Sequence, residues 1–107
     1  MQIKHICNAF SLQMVPKPSQ VSISPEIDLD EAKALVNQPG WTSAVGHSDT
    51  AAVMSGLLGV PVANNRCFVS LQKGDSILVG QVSGRLPEGA TTLPEGCQLH
   101  WFTVTVE

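Results

Sequence analysis

Apolar positions follow two rhythms along this chain. Leu29, Ala32, Leu35 and Val36 recur at helical spacing, which predicts a helix from Asp28 to Asn37. Asp28 is a suitable N-cap with Glu31 three residues on, and Pro39-Gly40 ends the segment. A second helix opens at Gly46-His47-Ser48-Asp49, with Ser48 or Asp49 as cap and Val53, Met54, Leu57 and Leu58 as its apolar face. Gly59 is its natural stop. Strand-like runs cover Ile3 to Cys7, Val21 to Ile23 as a short edge strand, Trp41 to Val45, Arg66 to Leu71, Ile77 to Val82 and Leu99 to Val106. Lys73-Gly74-Asp75 reads as a turn that sends Ile77 to Val82 back antiparallel to Arg66 to Leu71. Both of those runs are apolar on both faces, the pattern of a covered sheet. Glu88 to Gly96, broken by Pro and Gly, reads as loop. The order strand, helix, strand, helix, hairpin, strand predicts one α/β domain over residues 1–107. Its mixed sheet has helices packed on it.

Composition narrows the class of ligand. The chain has 107 residues and a net charge of −3, with six Lys and Arg in all. That is too few for the broad basic surface that non-specific DNA binding needs, so an anion must be met by a few placed groups. No run of about 18 apolar residues predicts a membrane helix. The Met1-Gln2-Ile3-Lys4 start lacks the apolar run of a signal peptide, so the cytoplasm is the expected compartment. Cys7, Cys67 and Cys97 are odd in number and scattered, as are His5, His47 and His100. Neither set has zinc-ligand spacing. No metal or cofactor is expected, and the cysteines are read as small buried hydrophobes. His5 and His100 lie within strands and are read as structural.

Candidate chemistry concentrates at strand exits. Gly84-Arg85-Leu86-Pro87-Glu88-Gly89 sets a cation three residues from a carboxylate in a tight turn after an apolar strand. Such a turn suits an anion and a hydrogen-bonding group, and pairing with Arg85 is an equally good reading of Glu88. His47, between a glycine and a helix start, can donate or accept a proton near neutral pH. Arg66 and Arg85 offer the planar fork that matches phosphate oxygens. Asn8 and Ser11, just past the first strand, can bond a base edge or phosphate, or cap their own turn. Gln81, the one long uncharged polar side chain in its strand, should face a pocket, a sheet edge or a subunit boundary. There is no phosphate-binding glycine loop, and no carboxylate run for Mg²⁺. Cleavage of a phosphodiester without metal favours RNA, whose 2′-hydroxyl can attack its own phosphate.

Taken together these segments resemble a known family. Asn8-Ala9-Phe10-Ser11 with Met14, Val45-Gly46-His47-Ser48-Asp49-Thr50-Ala51, Leu57-Leu58-Gly59, Asn65-Arg66, Gly74-Asp75 and Gln81 to Gly89 occur in order across nearly the whole chain. The set resembles the viral anti-CRISPR ring nucleases and their cellular relatives, small proteins first seen in archaeal viruses. The resemblance implies a two-fold homodimer that binds cyclic tetra-adenylate across its interface. It implies metal-independent cleavage to linear di-adenylates ending in a 2′,3′-cyclic phosphate, which silences type III CRISPR signalling. By that likeness His47 is the general acid, on a loop that closes over the ring. Glu88 orients or activates the 2′-hydroxyl, and Asn8, Ser11, Gly46, Arg66, Gln81 and Arg85 hold phosphates and adenines. A C2 dimer doubles each arginine, so only the pocket has to be basic. Two other readings serve the same residues: a module that holds a cyclic oligoadenylate without cutting it, and a protein-interaction domain whose Gly84–Gly89 turn shapes a dimer edge.

Overall fold

A computed structural model describes residues 1–107. Seven regular elements follow one another: β1 (His5–Cys7), β2 (Val21–Ile23), α1 (Leu29–Val36), β3 (Thr42–Ala44), α2 (Ser48–Leu58), β4 (Ser76–Ser83) and β5 (Gln98–Val106). A short 3-10 turn spans Leu12–Met14. The strands form one five-stranded sheet in the order β2-β5-β4-β1-β3. β1 runs parallel to both β3 and β4, with Cys7 level with Ala44 and Val79. β5 runs antiparallel to β4 and to the edge strand β2. The sheet is thus mixed, with two helices packed on it, as the element pattern predicts.

The helices form where the local signals put them. The Asp28 carboxylate accepts the backbone N–H of Glu31 at 2.8 Å, and Ala32 and Val36 are buried on the inner face of α1. α2 ends at Gly59. Its cap differs from expectation, because neither Ser48 nor Asp49 occupies the position. His47 is the N-cap, its ring nitrogen accepting from the Thr50 N–H, and this frees the Asp49 side chain for another partner.

Both faces of the sheet are covered, but by different means. On one face α1 and α2 close over Ile6, Leu78 and Trp101, with Met54 fully buried between them. Gly80 of β4 lies under this layer. A Cβ there would come within 2.7 Å of both Met54 Cε and the Trp101 ring, so the helix and the indole pack into the space a side chain would fill. The opposite face carries Cys7, Ile77, Val79, Val104 and Val106, covered by irregular chain that delivers Val15, Val69 and Leu71.

That second cover corrects the predicted hairpin. Arg66 to Leu71 is not a strand, and β4 takes β1 and β5 as neighbours instead. The segment keeps a strand-like alternation, with Val69 and Leu71 buried and Phe68 and Ser70 exposed. It satisfies that alternation by lying across a sheet face. Its backbone ties to the rest of the protein are few: an isolated bridge from Val45 to Asn64, just before the segment, and a bond from the Leu71 N–H to the Met14 carbonyl. The expectation of three buried cysteines is corrected as well. Only Cys7 is buried. Cys67 is exposed although it shares the parity of Val69 and Leu71, so the inward alternation does not reach back to it, and Cys97 is half-buried.

Candidate functional site

Three parallel strands, β3, β1 and β4, end on the same side of the sheet. The segments that leave them meet there, the usual place for a ligand in an α/β sheet. Asn8 follows β1, Gly46 and His47 follow β3, and Gly84 to Gly89 follow β4. Between them lies an open cleft of about 1220 Å³, lined by Asn8, His47 to Thr50, Val82, Gly84 to Gly89 and, across it, Pro94, Glu95 and Cys97. Four of the residues singled out in the sequence, Asn8, His47, Arg85 and Glu88, face this one space from three separate stretches of chain.

The wall formed by Asn8 and His47 is tied together locally. Asn8 Oδ1 accepts the Gly46 N–H at 3.4 Å. His47 Nδ1 lies 3.4 Å from both the N–H and the hydroxyl of Thr50. In accepting the helix N–H, Nδ1 carries no proton, so Nε2 is the ring nitrogen left to exchange one with a ligand. Thr50 and Ala51 are buried just behind the ring. The position of His47 is therefore set by the start of a packed helix.

The remaining sequence-predicted residues sit apart from the cleft. Gly46 and Arg66 are neighbours, since a Cβ on Gly46 would stand 3.2 Å from Cγ of Arg66. The Arg66 stem thus packs against the residue before His47, and Arg66 is exposed. Ser11 caps the 3-10 turn, its Oγ accepting the Gln13 N–H at 3.3 Å, which is the local role such residues commonly take. Gln81 is exposed on β4 opposite His100 and does not line the cleft.

Two features escaped the sequence reading. Asp49 Oδ2 accepts the Gly89 N–H at 3.1 Å, spanning the cleft. His100, in a strand as expected, links two other polar groups. Its Nε2 lies 3.0 Å from Ser83 Oγ, and its Nδ1 lies 2.9 Å from Glu26 Oε1. The chain braces the end of β4, where the Gly84–Gly89 turn begins. An alternation of exposed polar residues at a strand end was its only signal in the sequence.

Charge in the cleft is uneven. Asp49, Glu88 and Glu95 bring three carboxylates against the single guanidinium of Arg85. The Asp49 carboxylate is occupied by a backbone donor, but a polyanion still needs more cations than one protomer places here.

Residues 4–97 match the STIV B116-like family. The chain belongs to that family. Among its relatives, "Uncharacterized protein 26" of Sulfolobus islandicus filamentous virus (isolate Iceland/Hveragerdi) is 33% identical over 85 residues, 79% of this chain and 72% of that protein. "Uncharacterized protein ORF117" of Acidianus two-tailed virus is 37% identical over 65 residues, 59% of this chain and 56% of that protein. Among solved structures, B116 of Sulfolobus turreted icosahedral virus superposes with a TM-score of 0.80 at 24% identity, covering 96% of this chain and 98% of that one. At that identity the B116 likeness speaks for the fold, and the mixed sheet with two helices is the shared architecture. The relatives are viral, in keeping with the kind of family the motifs suggested. No helix is long and apolar enough to cross a membrane.

Proposed function

We propose that this protein is a metal-independent ring nuclease, active as a two-fold homodimer, that opens cyclic tetra-adenylate. The observation that carries this reading is the convergence of Asn8, His47, Arg85 and Glu88 on one cleft. Its volume exceeds the roughly 300–1,000 Å³ of common small-ligand pockets, in keeping with an oligonucleotide. In the proposed reaction a ribose 2′-oxygen attacks the adjacent phosphorus and the bond to the 5′-oxygen breaks. The 2′-proton passes to Glu88 or water while Glu88 orients the hydroxyl. His47 acts as the imidazolium, its Nδ1–H now donating to the Thr50 hydroxyl, and delivers its Nε2 proton to the departing 5′-oxygen, which leaves the ring neutral. Arg85 neutralises charge on the phosphate as it develops. Two such cuts convert the ring into two linear di-adenylates with 2′,3′-cyclic phosphate ends. Removal of that messenger would switch off type III CRISPR signalling in an infected cell.

One protomer's cleft offers a single guanidinium, whereas a ring with four phosphates calls for several cations. In a C2 dimer two Arg85 and two Arg66 would face a ring with its own two-fold axis. Arg66, packed beside Gly46, would serve by turning its head toward the phosphate while its stem stays in place. The test is mass spectrometry of products from cyclic tri-, tetra- and hexa-adenylate, with and without EDTA. The expected result is di-adenylate cyclic phosphate from the tetramer, undiminished by chelator. Recovery of the intact ring alongside tight binding would replace this reading with a non-cleaving binding module. Absence of both binding and products would turn attention to a protein-interaction role.

A further inference from the structure

We propose that Asp49 is a positioning residue that latches the Gly84–Cys97 loop across the cleft and so sets the approach of the Arg85–Glu88 wall to His47. The functional part of this inference rests on the ring-nuclease reading; the latch itself does not. The loop leaves the β4–β5 ladder after the pair Ser83 and Gln98. Its neck is closed at once: a Cβ on Gly84, whose φ is +87°, would lie 2.9 Å from the Gly96 carbonyl and 3.1 Å from Cys97 Sγ. Cys97 Sγ also donates to the Arg85 carbonyl at 3.4 Å. Beyond the neck the loop is held by very little. None of its residues is buried, and its backbone bonds are local turns, Ala90 to Pro87 and Cys97 to Pro94.

The bond from the Gly89 N–H to Asp49 Oδ2 is the one hydrogen bond that ties residues 84–97 to the body of the protein. It joins the residue after Glu88 to the residue two beyond His47. It therefore connects the two groups assigned the chemistry through one peptide step on one side and two on the other. Asp49 can play this part because His47 has taken the N-cap position that a carboxylate at the helix start would ordinarily compete for. An ionised acceptor makes the stronger kind of hydrogen bond, yet one such bond is weak enough to open when ligand enters or product leaves.

The experiment compares wild type, Asp49→Ala and Asp49→Asn, because the Asn amide oxygen can still accept from Gly89. Amide exchange in the free protein is read at Gly89 and Ala90, and kcat and KM are read with cyclic tetra-adenylate. In Asp49→Ala, exchange at these two amides is expected to rise about tenfold, as for loss of a hydrogen bond of ordinary net strength. KM should rise by a similar factor while kcat changes much less, and Asp49→Asn should recover most of both. Unchanged exchange in Asp49→Ala overturns the latch. So does an Asp49→Asn protein as open as the alanine variant. Exchange is measured without substrate, so failure of the latch reads separately from failure of the proposed reaction.

Discussion

The two walls of the cleft are built in opposite ways. Asn8 and His47 sit on stubs of chain rooted in the core: Cys7 precedes one, Val45 stands two residues before the other, and Thr50 and Ala51 follow, all buried. Arg85 and Glu88 ride on a loop with no buried residue, closed at its neck and tethered at one point. The contrast suggests a division of labour. Delivery of a proton to the leaving oxygen demands sub-ångström placement and belongs on a rigid element, while in the proposed reaction Glu88 meets the 2′-hydroxyl only once its loop has closed. Capture of a large ring demands a wall that can open, and loops carry such motions.

Three substitutions or treatments probe that division, beginning with the largest effect. His47→Ala removes the proposed acid from the rooted wall without touching the loop. Turnover of cyclic tetra-adenylate should fall roughly 10²–10⁴-fold, the usual worth of a positioned general acid, in single-turnover assays. Wild-type turnover in this variant would remove the histidine from the chemistry.

Gly80→Ala disturbs the support instead. The added methyl must displace Met54 Cε and the Trp101 ring, each 2.7 Å away. Overpacking of this kind costs about 1–3 kcal/mol, and Met54 can relieve part of it by moving its terminal methyl. A lowered denaturant midpoint is expected, with the effect on turnover following the loss of folded protein. An unchanged midpoint would mean that the layer beneath the rooted wall is looser than this packing implies.

Thiol labelling distinguishes the walls most gently. Cys7 lies at the base of the rooted wall, and burial, with the nearby Cys67 thiol adding to it, pushes its pKa up to about 12. It stays a protonated, inert thiol near pH 8, so an alkylating reagent should reach it only through unfolding. Half-buried Cys97 at the loop neck and exposed Cys67 should react first. The sign for stability follows from the raised value. An unfolded Cys7 ionises near 9.0 while the folded thiol does not, so stability is full below that pH and declines as pH rises toward 12. Equal labelling rates at Cys7 and Cys97 would erase the contrast between the walls.

The sequence spoke clearly about one wall's foundations and only partly about the rest. α1 is legible because Asp28, Glu31 and the helical spacing of Leu29 to Val36 are local signals, β4 because Ile77 to Val82 is largely apolar, and β5 because aromatic and β-branched residues dominate Leu99 to Val106. Arg66 to Leu71 misled because alternation says that Val69 and Leu71 point inward but not which surface receives them. Pairing of β4 with β1, some 70 residues away, leaves no trace in a local pattern. At the site, Asn8, His47, Arg85 and Glu88 were found because each stands at a strand exit or helix start beside a turn signal. Asp49 was missed because a carboxylate in the first helical turn already has an ordinary explanation as a cap or dipole partner. Ser11 and Gln81 lie away from the cleft of the single chain, one capping its own turn and one on the far face of β4.

The division between a catalytic wall and a capturing wall is tested most directly by titrating cyclic tetra-adenylate calorimetrically into His47→Ala and Arg85→Ala, then analysing the ring in each sample. The account predicts wild-type affinity and an intact ring for His47→Ala. Affinity weakened roughly tenfold or more is expected for Arg85→Ala, as loss of a charge-assisted contact implies, with the bound ring still cut but more slowly, since the developing charge loses its cation. The reverse pattern, in which His47→Ala fails to bind and Arg85→Ala binds fully without cleaving, would contradict it.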